Sequence, residues 1–404
     1  MRYRRMPIEA ESPEQLGYGR IRRNLAESSV SDAALGDVAA NLEGLVLGYG
    51  DHLGLPELRA VIAADAPGVD PDGVMVTPGA VAALFILHTT LLEAGDHIVV
   101  ARPNYATNVE TPRAIGADVT YLDLAYDDGW AVDPARLEAL MTDRTRLVSL
   151  TSPHNPTGTT LDRATLDAVI SLCELRGARL LLDETYREMT FGEALPVAAS
   201  LSPSVVSVSS LSKSYGLPGI RIGWLVTRDT ALRDRLLAAK EQILISGSLV
   251  DETIALTALR RRPQLLPAIR ARIADAFSTT AAWLDGHQRL EWVPPRGGVV
   301  GFPRIRADAG VDVDAFYRVL FGEHGTIVGP GHWFEQPRSH FRLGYGWPAP
   351  AELREGLAAI DEALAATARC RTERRRRRAR RPGRRGSADE SVTCAITQSR
   401  ARMG

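Results

Sequence analysis

Between residues 74 and 227 short β-branched, apolar runs alternate with segments of helical period, and this alternation restricts the fold more than any other feature of the chain. The runs are VMVTPG (74–79), HIVVAR (97–102), DVTYLDL (118–124), RLVSLTSP (146–153), ARLLLDET (178–185), VVSVSSLSK (205–213) and IRIGWLVT (220–227). Several are continuously apolar rather than alternating, as strands covered by helices on both faces must be. Helical segments at 79–93, 133–142 and 162–177 lie between them. The expectation is an α/β fold with a mostly parallel seven-stranded sheet flanked by helices. The last two runs are too close for a helical crossover, which predicts an antiparallel pair.

After residue 230 the pattern changes to long helical segments, 231–246, 248–260, 262–287 and about 350–368, with short apolar runs such as GGVVGFPRI among them. This predicts a smaller α+β domain. The expected division is an N-terminal arm contributing to the small domain (1–45), a large α/β domain (46–245), the small C-terminal domain (246–368) and an Arg-rich tail (369–404).

The formal net charge of −1 hides an asymmetry, because the tail holds 13 Arg against Glu373, Asp389 and Glu390. Like charges at that density repel and bury nothing, which predicts disorder there. The body is left at about −11, which argues against nucleic-acid binding by the folded part. Cys173, Cys370 and Cys394 are too dispersed for a disulfide framework or a metal site, and a reducing cytoplasm suits them. The eight His are scattered without ligand spacing, so no metal is expected. No run approaches the eighteen or so apolar residues of a membrane span, and the basic N-terminus is not followed by an apolar stretch, so neither membrane insertion nor secretion is expected.

Lys and Arg together number 48, yet Lys occupies only positions 213 and 240. A guanidinium stays protonated at any biological pH, whereas a desolvated ammonium can shed its proton and attack a carbonyl. A lone Lys is more often a surface residue, so its neighbours decide the reading. In SLSKSYGLPGIRIGW (210–224), Ser210 precedes Lys213 by three residues and Arg221 follows by eight, a hydroxyl and a guanidinium able to approach one anion such as phosphate. In LLDETY, Asp183 ends an apolar strand, where open α/β sheets bind ligands, and it needs a cationic partner. Asn155 in SPHNPTG follows another strand and is held in a turn by Pro156. TPGAVAAL ends a third strand and opens a helix, which presents the N–H groups of Gly79 and Ala80 to an anion.

In this order the motifs resemble those of fold-type-I pyridoxal-phosphate enzymes of the class I/II aminotransferase family, over roughly residues 40–368. The resemblance implies pyridoxal 5′-phosphate as cofactor, with Lys213 as its Schiff-base partner and proton carrier and Asp183 paired with the protonated ring nitrogen. It further implies that Asn155 and Tyr186 bond the phenolic oxygen and that Ser210, Arg221, Gly79 and Ala80 hold the phosphate. Tyr105 in RPNYATN matches the residue that stacks on the ring, against the alternative of ordinary packing at a helix start. Tyr49 in LGYGDHLGLPELR matches a tyrosine given to the neighbouring subunit's phosphate, which implies a homodimer. Arg342 in HFRLGYGW, with Asn155, matches the binding site of the substrate's α-carboxylate, against the alternative of a surface ion pair.

The reaction implied first is transamination between an amino acid and a 2-oxo acid, both small-molecule partners, in the cytoplasm. The alternative is a lyase or cyclase, because a Cα carbanion can also expel a group from Cβ or Cγ. VPPRGGVVGFPR (293–304) and the Lys213 segment are similar to those of capreomycidine synthase-like enzymes, which cyclise a hydroxylated arginine. A ligand-sensing regulator is disfavoured, since only about forty residues precede the Tyr49 motif, too few for a helix-turn-helix and linker. Residues 21–32 stand where the family has a turn lining the substrate pocket, and Arg296 and Arg22 are candidates for binding a second carboxylate.

Overall fold

The computed structural model describes residues 1–368. Strand β1 (Arg23–Leu25) precedes seven strands that form one sheet: β2 (Val74–Pro78), β3 (His97–Arg102), β4 (Asp118–Asp123), β5 (Thr145–Thr151), β6 (Arg179–Asp183), β7 (Val205–Ser210) and β8 (Ile222–Thr227). Their order is β2-β8-β7-β6-β5-β3-β4. The pairs from β7 through β4 are parallel, and β8 runs antiparallel to both β7 and β2. The β7–β8 pairing meets the sequence expectation, while the reversed β2–β8 pairing adds to it.

The continuous apolarity of these strands has its reason in the packing. Successive residues of β6 face opposite layers: Leu180 and Leu182 join the cluster built with Val169 and Ile170 of helix Arg163–Leu175, whereas Leu181 joins Leu84 and Leu87 of helix Gly79–Leu91. Each fully buried Leu or Val of this kind contributes roughly 1.5–3 kcal/mol relative to exposure. Asp162 starts its helix by accepting the Thr165 N–H at 2.7 Å.

Five short strands follow: β9 (Leu290–Glu291), β10 (Val300–Gly301), β11 (Arg304–Ile305), β12 (Thr326–Pro330) and β13 (Phe341–Gly344). A four-stranded sheet has the order β1-β12-β13-β10, with β1 parallel to β12, while β9 and β11 form a separate antiparallel pair. The N-terminal segment is thereby stitched to the C-terminal sheet. The long helices span Thr230–Ile243, Leu249–Arg260, Arg262–Leu284 and Pro350–Thr367. The expected tail, 369–404, lies outside the described residues, as do Cys370 and Cys394. No helix among the described residues is long and apolar enough to cross a membrane.

Most strand ends shift by one or two residues, and the largest shift is at β7. The run 205–213 was expected as strand throughout, but β7 ends at Ser210 and Lys213 occupies a turn. The reason lies in the N-terminal segment, which takes the backbone groups a longer strand would use: the Val30 N–H donates to the Lys213 carbonyl at 3.0 Å, and that of Ala33 to Gly216 at 2.8 Å.

Candidate active site

The parallel strands end together along one edge of the sheet, and the reversed β8 begins at that same edge. Register places Ile222 opposite Pro78 and Gly223 opposite Ser210, so Arg221, just before β8, stands beside the ends of β2 and β7. Both Lys213 and Arg221 lie in the eleven-residue connection, 211–221, that joins β7 to β8, Arg221 as its last residue.

At this edge opens a cavity of about 510 Å³, a size suited to a cofactor and a small substrate. Of the residues singled out by sequence, Ala80, Tyr105, Asn155, Asp183, Tyr186, Ser210, Lys213, Arg221 and Arg342 line it. Gly79 adjoins it at φ 75°, and a Cβ there would collide with the Arg221 guanidinium. Gly223 permits a second close approach, because a Cβ on it would strike the Gly79–Ala80 backbone. Helix Gly79–Leu91 begins at this point, so its positive end faces the cavity beside Ser210 and Arg221.

Asp183 is buried, and its Oδ1 accepts the Thr185 N–H at 3.0 Å. Burial pushes its carboxyl above the ordinary range, against the smaller opposing pull of Lys213 and that bond. Lys213 is half-buried, and desolvation pushes its ammonium below the ordinary value. The other lysine, Lys240, is wholly buried and donates to the His52 carbonyl, so both lysines of the chain are drawn out of water. Arg342, 5% exposed, reaches in from β13. Its Nη2 donates to the Ala26 carbonyl at 2.5 Å and its Nη1 to Asn155 Oδ1 at 3.3 Å. The guanidinium lies 5.9 Å from the Trp333 ring and 5.2 Å from the Phe334 ring.

Tyr186 lines the cavity, but its hydroxyl donates to the Ser28 carbonyl at 2.8 Å, so in this arrangement the phenol can only accept from a ligand. Tyr49 is not in the cavity: its ring is 86% exposed, next to the exposed Val46 and Leu47. Arg296 lines a different cavity, with Arg163 and Glu184, and Arg22 packs against Gly325, so neither stands at the lysine. His154, left without a partner by sequence reasoning, shares a 2.8 Å bond with Thr157 and is pushed down to about 4 by burial.

Sequence reasoning set residues 21–32 at the substrate pocket without singling out Ser28 or Ser29, and it missed Thr151, Thr185, Trp333 and most of residues 8–18, all of which line the cavity. Short polar helices such as Pro13–Leu16 carry no apolar period, so no signal pointed to them. Three buried polar atoms at the cavity, Thr151 Oγ1, Thr185 Oγ1 and Arg342 Nε, have no partner among the described residues. Such orphans are costly unless a polar ligand meets them. An amine, a buried carboxylate, a helix N-terminus beside Arg221 and a guanidinium with an unpartnered Nε thus face one space.

Comparison with known proteins gives the same direction. The family model described as aminotransferase class I and II matches residues 21–360. Capreomycidine synthase from Streptomyces vinaceus is 32% identical over 377 residues, spanning 87% of this chain and 92% of that protein. Arginine–pyruvate transaminase from Pseudomonas aeruginosa is 32% identical over 319 residues, spanning 76% and 81%. Among solved structures, a PLP-dependent aminotransferase from Streptococcus suis matches with a TM-score of 0.84 at 26% identity, covering 92% of this chain and 100% of that one. The PLP-dependent cyclase OrfR matches with a TM-score of 0.81 at 30% identity, covering 91% and 99%.

Proposed function

Because the chain belongs to the aminotransferase class I and II family, we propose that it moves an amino group between an amino acid and a 2-oxo acid with Lys213 as the reacting amine. The observation that carries this reading is the convergence of Lys213, Asp183 and Arg342 on one cavity beside the Gly79–Arg221 cradle. The residues fit pyridoxal 5′-phosphate: the cradle suits its phosphate, Asp183 its ring nitrogen and Lys213 its aldehyde. When bound, that group supplies an electrophilic carbonyl carbon and an electron-accepting ring.

The chain's own groups do the rest. Desolvation loosens the proton on Lys213 and so favours its amine form, and that amine would take the proton from the substrate's Cα. Asp183 would hold positive charge on the ring nitrogen, and that cation would relieve the cost of the carboxylate's burial. Arg342 binds the α-carboxylate, with its free Nε and its planar fork, and so orients the Cα–H bond toward Lys213. Tyr105 would pack on the ring, and Asn155 and Tyr186 would hold its oxygen, Tyr186 donating to it only after releasing Ser28.

We place Tyr49 at the partner subunit's cradle in a cytoplasmic homodimer, with residues 46–245 as the larger lobe and 246–368 joined by the N-terminal arm as the smaller. A second reading, cyclisation of a hydroxylated arginine, is favoured by the likeness to capreomycidine synthase and to the cyclase OrfR. The test is to load the full chain with pyridoxal phosphate, supply a panel of amino acids with pyruvate and identify products by mass. A 2-oxo acid is the expected product; loss of water with the amine retained replaces transamination by cyclisation, and no product from any substrate ends both.

A further inference from the structure

The cavity is electrically two-sided. Its inner wall carries the cations Lys213, Arg221 and Arg342 with the one carboxylate Asp183, whereas its rim, the side built by the N-terminal segment, carries charged groups that are all acidic, Glu9, Glu14, Glu27 and Asp32, of which the last three act together. In a chain crowded with arginine, the donors that reach these carboxylates among the described residues are neutral. The Tyr18 hydroxyl lies 3.4 Å and the Asn24 amide 3.5 Å from Glu27, and the Trp347 indole lies 3.3 Å from Asp32. Partial burial, followed by the charges of Glu27, Glu14 and Asp32, pushes the Tyr18 phenol above its ordinary range, so all three charges act at one point. Lys213 and Arg342 act on two of these carboxylates from the inner wall, but no cation touches any of the three among the described residues, and one placed among them removes the repulsion they share.

The rim is held rather than loose. Arg342 donates to Ala26, Tyr186 to Ser28, and the N–H groups of Val30 and Ala33 donate to the Lys213 turn, so backbone on either side of Glu27 and beside Asp32 is tied to the reacting wall. The charges of Glu27 and Glu14 act on both Lys213 and Arg342, which places the rim within electrostatic reach of the chemistry. At the opposite end, the buried and unpartnered Nε of Arg342 calls for an anion. One molecule satisfies both ends: an amino acid with a carboxylate at its head and a cation at its tail.

We propose that the enzyme selects an L-amino acid whose side chain ends in a guanidinium, held by Glu14, Glu27 and Asp32 while its α-carboxylate meets Arg342. A planar guanidinium matches carboxylate oxygens in pairs, and the half-exposed Tyr18 ring gives it an aromatic face. Acidic substrates meet repulsion at the same rim. The assignment of head and tail rests on the transamination reading above.

The test uses the full chain loaded with pyridoxal phosphate. L-arginine is compared with L-citrulline, its neutral isostere, and with L-leucine and L-aspartate for kcat/KM; calorimetry compares 5-guanidinovalerate with valerate, neither of which can react. Arginine is expected to exceed citrulline by about 10–100-fold, and guanidinovalerate to bind correspondingly tighter than valerate. Glu27→Gln, and separately Glu14→Gln and Asp32→Asn at exposed positions where folding is not at stake, should each shrink the arginine-to-citrulline ratio by about 3–10-fold. Citrulline or leucine equal to arginine, or a ratio unmoved in all three variants, overturns the proposal. If no amino acid reacts, the transamination reading fails by itself, and the calorimetric ratio still decides the rim.

Discussion

Arg342 Nη1 lies 3.3 Å from Asn155 Oδ1, a contact that joins β13 of the four-stranded sheet to the loop after β5 of the seven-stranded one. The two sheets meet through the guanidinium proposed to hold substrate, so its geometry is set by both. Its pairing leaves Nε for a ligand.

Arg342→Lys retains a charge but loses the planar fork. The expected result is a rise in KM for amino acids of about 10–100-fold, while pyridoxal-phosphate affinity, read by absorbance titration, shifts by less than about threefold.

Lys213→Arg replaces the amine proposed to condense with a carbonyl by a group that stays protonated. Borohydride treatment of the cofactor-loaded protein should add a mass label to the peptide carrying Lys213 in the wild type and none in the variant. A label on Lys240 instead refutes the assignment.

Gly223→Ala drives a methyl group into the Gly79–Ala80 backbone and the Ser209 carbonyl. Backbone cannot yield as a side-chain tip can, so the cradle is displaced. Affinity for pyridoxal phosphate should fall at least about tenfold, and the melting temperature by several degrees, about 1–3 kcal/mol of overpacking. Gly219→Ala, where no atom lies near the added carbon, is the control.

His88 is fully buried in helix Gly79–Leu91, neither ring nitrogen has a partner among the described residues, and burial pushes it down to about 3. Between pH 6.5 and about 3 the unfolded chain binds this proton and the folded one does not, so stability falls as pH falls through that window, by up to about 1.4 kcal/mol per pH unit. His88→Leu, close in volume and without polar atoms, should flatten that slope and raise stability near neutrality. Urea denaturation at several pH values measures both, and an unchanged slope refutes the account.

The strand edge was legible in the sequence because each group there follows an apolar run. Asp183 after RLLL, Asn155 after β5 and the Gly79 turn after β2 take their positions from strand ends, which period and composition mark. The antiparallel β7–β8 pair was legible from its short connection. The turn at Lys213 was not, because contacts from residues 30 and 33 end the strand, and a partner nearly two hundred positions away leaves no local trace. The rim was legible only as the segment 21–32, with none of its acids singled out and Glu14 outside it, for the same reason: short helices, one three-residue strand and backbone bonds to distant loops carry no periodic signal. Tyr186 shows the limit of motif matching, since its spacing from Asp183 gives a place in the cavity but not the Ser28 carbonyl that occupies its hydroxyl.

The stitching of β1 onto β12 bears on how such a chain diversifies. The groups facing a cofactor hang from the large sheet, while the acidic lip rides on a strip of some twenty residues fastened mainly through main-chain atoms. Main-chain fastening tolerates almost any side chain. Side chains along that strip can therefore be exchanged, and the charge of the lip with them, without disturbing the bonds that fasten it beside Lys213.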